Sequence, residues 1–230
     1  MKFKSLVLAM PLAFSSAAFS QIVDLEISNL THGLHFTPVF INAHTEDIHL
    51  FEVGSNASAV IQAMAEGGDI SGLSAAAVSG SVSSENPAMG LLAPSATTSV
   101  MDFDTGSNTH LSLVAMVLPT NDGFVGLDGW EIPETAGTYT VYLNAYDAGT
   151  EANDEIINGM GMPGDAGIPA APGGDGGTGA TGVTMTESNM TVHIHRGNVG
   201  DVDDNAGISD VDSRIHRWLN PVAKIVVTVK

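Results

Sequence analysis

The sequence predicts an all-β protein built as an antiparallel β-sandwich. Eight segments alternate or run apolar with residues that favour strands, and Gly, Pro, Asn and Asp separate them, whereas only one segment has clear helical periodicity. The eight predicted strands are residues 23–29, 35–42, 48–53, 96–103, 110–118, 138–145, 189–195 and 223–229.

The one clear helix is expected in "GSNASAVIQAMAEGGD", near residues 55–68. Ser55 or Asn56 can cap its start, and Gly67 and Gly68 end it. A looser Ala/Ser segment at 71–83 is expected to form either a short helix or a loop.

The first twenty residues predict a secretory signal peptide. Lys2 and Lys4 precede an apolar run and then small residues, with cleavage expected before Gln21. That run is too short to span a bilayer. We therefore expect an exported protein, periplasmic or extracellular, with one domain over residues 21–230.

A glycine-rich insertion interrupts that domain at 157–183. Glycine falls at almost every third position there, which is the collagen register, but the tract is short, interrupted and poor in proline. An irregular loop is the favoured interpretation and a collagen-like segment the alternative.

Charge and cysteine content exclude several classes of partner and site. Without Lys2 and Lys4, five basic residues remain against 26 acidic ones, a formal charge of −21, and none of those five precedes Arg196. Nucleic acid and anionic lipid are therefore poor partners, while cations are good ones. The chain has no cysteine, which excludes disulfides and thiolate metal sites.

Two acidic turns follow predicted strands. "YDAGTE" places Asp147 and Glu151 four residues apart around a glycine, and "PTNDGFVG" places Asp122 after another buried strand. Calcium takes six to eight oxygen ligands, mainly carboxylates and carbonyls. Loops cluster at the ends of a sandwich, so these turns could converge on one calcium ion; a solvated acidic loop is the alternative.

These motifs resemble the spondin domain, the module that precedes the thrombospondin repeats in F-spondin and mindin. The resemblance rests on "NDGFVG", "YDAGTE" and the terminal "NPVAKIVV", in that order. The opening "THGLHFTPVFINAH", the glycine-rich insert and the closing segment are similar to the stand-alone branch found in exported bacterial proteins.

The resemblance implies a C2-like β-sandwich that is not an enzyme and binds one Ca²⁺ through Asp122, Asp147 and Glu151. It also implies adhesion or another extracellular interaction, with a glycan, matrix or cell-surface protein as partner. The third ligand is Glu here, where the animal domains have Asp.

Two further constellations offer other metal sites. "DVDDNAGISDVD" (201–212) imitates an EF-hand loop but has Ala206 where glycine is needed, so a polar turn paired with the nearby arginines is favoured over a second calcium site. His193 and His195, two apart on a predicted strand, suggest a periplasmic zinc- or copper-binding protein or metalloenzyme as the alternative function. No hydrolase or phosphate-binding motif occurs.

Overall fold

The computed structural model describes residues 20–76, 79–174 and 176–230. The predicted signal peptide lies, apart from Ser20, outside the described residues. Within them, no helix is both long and apolar enough to cross a membrane.

The described chain forms ten strands and two short helices, and the predicted all-β, antiparallel fold is confirmed. The strands pair antiparallel in one sheet with the order β4-β3-β6-β7-β8-β10-β1-β5, while β2 pairs with β6 and β9 with β8. The strands are β1 Ile22–Asn29, β2 His35–Phe36, β3 Phe40–His44, β4 Val82–Glu85, β5 Thr97–Asp104, β6 His110–Leu118, β7 Gly123–Glu131, β8 Gly137–Asp147, β9 His193–Ile194 and β10 Ala223–Val229; the helices are α1 Ala59–Gly67 and α2 Ser71–Ala76.

The sheet carries apolar packing on both of its faces. One face of β1, β3, β6, β8 and β10 surrounds the larger core, which includes Leu25, Leu113 and Ile225. The opposite face of β6 and β7 packs against α1 in a second core, through Met116 and Phe124. Because β6 contributes to both cores, its sequence is apolar at nearly every position rather than alternating.

The helix α1 begins later than predicted, with Ser58 as its N-cap. The Ser58 hydroxyl accepts a hydrogen bond from the Ile61 N–H, and Gly68 ends the helix in the left-handed conformation, φ 71°. The 71–83 segment, expected as a short helix or a loop, supplies α2 and the first two residues of β4, a strand that we did not predict.

Three strand predictions were wrong, and one of them, 35–42, divides into β2 and β3. Residues 48–53 form no strand, because the backbone N–H groups of Leu50 and Phe51 donate to the Asp128 carboxylate instead of to a neighbouring strand. Residues 189–195 shorten to the two-residue β9. Conversely, β7 begins inside the segment predicted only as an acidic turn.

The glycine-rich segment forms no helix or strand in its described part. Six of the seven glycines in its three-residue series have φ between 69° and 109°, which is left-handed and not the polyproline conformation that collagen requires. It lies against α1, since a Cβ on Gly67 would meet the Gly161 carbonyl oxygen at 1.9 Å. The favoured interpretation of an irregular loop therefore matches its conformation.

Candidate metal centre

The strand pairing brings Asp122 and Asp147 together. Asp122 immediately precedes β7, Asp147 is the last residue of β8, and Gly123 is the direct cross-strand partner of Asp147. The Ala148 N–H donates to the Asp122 backbone carbonyl at 3.2 Å, which continues the pairing beyond the strand. Two of the three predicted ligands are thus neighbours at one end of the sheet.

The turn after β8 brings Glu151 to the same place. Gly149 has φ 71°, and a Cβ there would meet the Met190 carbonyl carbon at 2.7 Å, so this bend requires glycine. The turn directs the N–H groups of Thr150 and Glu151 at Asp122 Oδ2, at 2.8 and 3.1 Å.

Asp122 is fully buried with one carboxylate oxygen unsatisfied. Its Oδ2 accepts the two N–H bonds and a third from the Thr150 hydroxyl at 3.2 Å, whereas Oδ1 has no partner. Burial, and then the adjacent Asp147 carboxylate, raise the pKa of Asp122 to about 7. Such an oxygen is costly to bury unless a donor or a cation satisfies it.

Glu151 is likewise buried with one carboxylate oxygen unsatisfied. Its side chain is 7% exposed, and its Oε2 accepts from the Gly167 N–H at 3.0 Å, while Oε1 is buried without a partner. Burial, and then the nearby Glu66 and Asp122 carboxylates, raise the pKa of Glu151 to about 8. Through Gly167, this carboxylate also anchors the glycine-rich insert.

Asp147 differs because both of its oxygens have partners. Oδ1 accepts from the Gly149 N–H at 2.9 Å, and Oδ2 accepts from Asn153 Nδ2 at 2.7 Å. His193 Nε2 lies 3.8 Å from the same Oδ2. Burial raises the pKa of Asp147, and the Asn153 hydrogen bond and His193 oppose that rise.

Three polar residues that we did not predict surround this centre. Glu66, in the last turn of α1, accepts from the Gly164 N–H at 2.6 Å, and Asn121 donates to the carboxylates of Asp154 and Glu151 at 2.8 and 3.4 Å. Asn153 is the third. Asn121 and Asn153 each stand next to an acidic residue in the sequence, but nothing in the sequence relates Glu66, on a distant helix, to the acidic turns.

The remaining acids of the turn are stabilised by backbone and uncharged side chains. Glu155 is buried and accepts from the N–H groups of Val199 and Gly200, at 2.6 and 2.8 Å, and from the Ser209 hydroxyl at 2.6 Å. In the described part of the chain, no Lys or Arg side chain forms an ion pair with any acid of this turn or with Asp122.

The fit to a cation is partial. The two unpartnered oxygens, on Asp122 and Glu151, are what a hard cation would satisfy, and all three carboxylates have raised pKa values. Even so, across residues 20–76, 79–174 and 176–230, no group of three or more His, Asp or Glu side chains is arranged to hold a metal ion. An ion would therefore need side-chain adjustment, together with carbonyl or water oxygens.

The two histidines have separate environments. His193 lies beside Asp147, whereas His195 is buried against Trp218, with ring centroids 5.0 Å apart. His195 Nδ1 accepts from the Gly197 N–H at 2.9 Å, and its Nε2 has no partner. Burial lowers the pKa of His195 to about 3, so the ring is neutral.

The 201–212 segment is a polar turn paired with an arginine. The Arg214 guanidinium donates to both oxygens of Asp212, with its shortest bond at 2.7 Å, and Asp201 accepts the N–H groups of Ile208 and Ser209. None of its carboxylates is among the buried unpartnered groups of the described chain.

A comparison with known protein families identifies the family of this chain. The family model of Spondin_N matches residues 26–155, more than half of the chain. The chain belongs to the spondin family. No curated protein matches it.

Family membership indicates an extracellular-interaction module, and spondin domains are generally non-enzymatic. The match ends at Glu155, two residues before the start of the glycine-rich insert. It includes Asp122, Asp147 and Glu151 but not β10, which lies between β1 and β8 in the sheet. The folded unit is therefore larger than the matched segment.

Proposed function

We propose that this chain is an exported, non-enzymatic binding module whose interaction end is organised by one Ca²⁺. Asp122, Asp147 and Glu151 would hold the ion. The observation that carries the proposal is the pair of buried carboxylate oxygens, Asp122 Oδ1 and Glu151 Oε1, that have no hydrogen-bond partner.

Charge balance favours binding of a divalent ion over protonation of the carboxylates at this centre. Three carboxylates with raised pKa values repel one another when ionised, and no Lys or Arg in the described chain pairs with them. A bound Ca²⁺ would favour their charged forms and satisfy the free oxygens together. Magnesium fits less well, because it demands near-ideal octahedral geometry and gives up its water reluctantly.

The ion would act through the loops it joins. Asp122 precedes β7, the Asp147 turn follows β8, and Glu151 contacts the glycine-rich insert through Gly167. No disulfide joins these segments, since the chain has no cysteine. Calcium would therefore fix one end of the sheet as a surface for adhesion to a glycan, matrix or cell-surface protein.

Calorimetry on chelator-stripped protein tests the proposal. Titrated calcium should bind and raise the melting temperature, and Asp147→Asn should abolish both effects. Asp165→Asn is the matched control, because Asp165 is an exposed acid of the insert, and it should retain both. Absence of any calcium response at millimolar concentration would reject the proposal, since extracellular modules bind calcium at about 10⁻⁴–10⁻³ M.

The same titration separates the zinc or copper alternative. The buried, unpartnered His195 Nε2 is the observation that favours it. Tight zinc or copper binding that survives Asp147→Asn but not His193→Ala would support that alternative in place of calcium.

A further inference from the structure

A groove lies on the outer face of β7 and β8, distinct from the metal centre. It has a volume of about 450 Å³. The side chains that line it include His49, Glu52, Asp128, Tyr142, Asn144 and Tyr146. Side chains alternate across a strand, so Tyr142, Asn144 and Tyr146 face the groove while Leu143 and Ala145, between them, face the core.

Asp128 holds one wall of the groove in place. Its Oδ1 accepts from the Leu50 N–H at 2.7 Å, and its Oδ2 lies 2.6 Å from His49 Nδ1. Gly126 also lines the groove, and a Cβ there would meet the Phe51 ring at 2.6 Å. The segment predicted as a strand is therefore fixed to the sheet by a side chain, which leaves a gap beside it.

Two tyrosine rings line this groove. Tyr142 is 63% exposed and is the one aromatic residue among the large exposed hydrophobic side chains of the described chain. Tyr146 is half-buried and packs against Phe51, with ring centroids 4.9 Å apart. An aromatic face left open beside a cavity is a feature of binding sites and contributes nothing to the core.

The charge of the groove is negative. The lining has two carboxylates, Asp128 and the exposed Glu52, against one imidazole, His49, so its charge stays negative even when His49 is protonated. The hydrogen bond to Asp128, and then the nearby Glu52 charge, raise the pKa of His49. The nearest lysine on β10, Lys224, is the cross-strand neighbour of Tyr142 but is not part of the groove lining. It places a positive charge beside Tyr142, on the side of β8 away from Asp128. The whole chain carries a formal charge of −19, which attracts cations to a cleft of this kind and repels anions.

We propose that this groove binds an organic cation, an alkylammonium or guanidinium group held against Tyr142 and Tyr146 and paired with Glu52. Tyrosine faces attract such cations through the negative ring quadrupole, and weakly hydrated organic cations give up water more easily than Ca²⁺ does. A basic side chain of a protein partner would present this group. The site does not depend on the calcium centre.

Choline and its uncharged isostere, 3,3-dimethyl-1-butanol, test the charge requirement directly. NMR titration of the full chain should show choline shifting the Tyr142 ring resonances, and the isostere should bind at least about tenfold more weakly. N-acetyl-arginine amide should compete with choline. Choline binding should weaken as ionic strength rises.

Matched variants locate the site. Tyr142→Leu keeps an apolar side chain at an exposed position and should weaken choline binding by about 2- to 5-fold, the effect expected for one exposed cation–π contact. Glu52→Gln should weaken binding and reduce its salt dependence, whereas Glu134→Gln, an exposed acid outside the groove, should do neither. Unchanged melting temperatures would show that the variants fold.

Three outcomes would overturn the proposal: no choline-induced shift at Tyr142, equal binding of choline and its isostere, or equal effects of the two glutamate substitutions. Binding of an uncharged oligosaccharide at Tyr142 with no response to choline would likewise overturn it, in favour of a glycan site. Addition of chelator should leave choline binding unchanged, which separates this test from that of the calcium centre.

Discussion

Replacing Asp122 with asparagine should stabilise the metal-free protein and abolish its gain of stability from calcium. Asp122 is fully buried, and its pKa rises from 3.8 to about 7 through burial and the Asp147 charge. At pH 8 the metal-free protein must keep this carboxylate ionised in a site that disfavours the charge. Asparagine removes the charge, and its carbonyl oxygen can still accept the N–H bonds of Thr150 and Glu151.

The size of both effects follows from the structure. A rise of about three pKa units corresponds to an upper bound of about 4 kcal/mol at pH 8, since each unit is worth about 1.4 kcal/mol. We therefore expect Asp122→Asn to raise the melting temperature in chelator by several degrees, because about 1 kcal/mol shifts it by roughly 2–4 °C in a domain of this size.

In calcium the difference between the two proteins should narrow. At about 5 mM Ca²⁺ and a Kd of about 10⁻⁴–10⁻³ M, the unmodified protein gains about 1 to 2 kcal/mol, and the variant gains none. Differential scanning calorimetry of both proteins, each with chelator and with calcium, measures all four states. A variant that is less stable than the unmodified protein in chelator and still gains stability from calcium would contradict this prediction.

Three further predictions concern the metal centre, the groove and the loop that Glu155 holds. Because Asp122 and Glu151 have raised pKa values, the metal-free protein should lose stability as pH rises from about 4 to about 8. Urea titrations should show a shallower loss of stability with pH in Asp122→Asn, and equal slopes would contradict the assignment. Gly126→Ala should destabilise the protein by about 1–3 kcal/mol in the same titration, since its Cβ would meet Phe51 at 2.6 Å; no change would show that the ring moves freely. Glu155→Gln replaces one acceptor oxygen by a donor that opposes an N–H group, so it should destabilise the protein by about 1–3 kcal/mol. It should also speed amide hydrogen exchange in the loop that Glu155 holds, and unchanged exchange would count against that anchoring role.

The sequence predicts the core strands well because their signal is local. β1, β6, β8 and β10 each carry enough strand-forming residues to be recognised, and their bounds differ from the predicted ones by no more than two residues. The segment 48–53 has a similar pattern but forms no strand, because Asp128, almost eighty positions away, takes its N–H groups. No local sequence pattern can show that the Asp128 carboxylate, rather than a neighbouring strand, accepts these N–H groups.

The same limit applies to the candidate centre. Asp122, Asp147 and Glu151 could be named because each belongs to a short motif that ends a strand, and the register of β7 against β8 places the two aspartates side by side. The sequence could not reveal that Glu66 lies close to Glu151, since that proximity depends on how α1 packs on the sheet. Nor could it show which oxygens have partners, because burial and hydrogen bonding are properties of the folded chain.

The most direct test of the calcium centre is a crystal structure of the chain grown in millimolar calcium, with anomalous difference density measured at a wavelength that identifies the metal. We predict one calcium peak within about 2.3–2.6 Å of Asp122 Oδ1 and of carboxylate oxygens from Asp147 and Glu151. A structure with no ion there, in which ordered water or a protonated neighbour satisfies Asp122 Oδ1, would contradict that prediction.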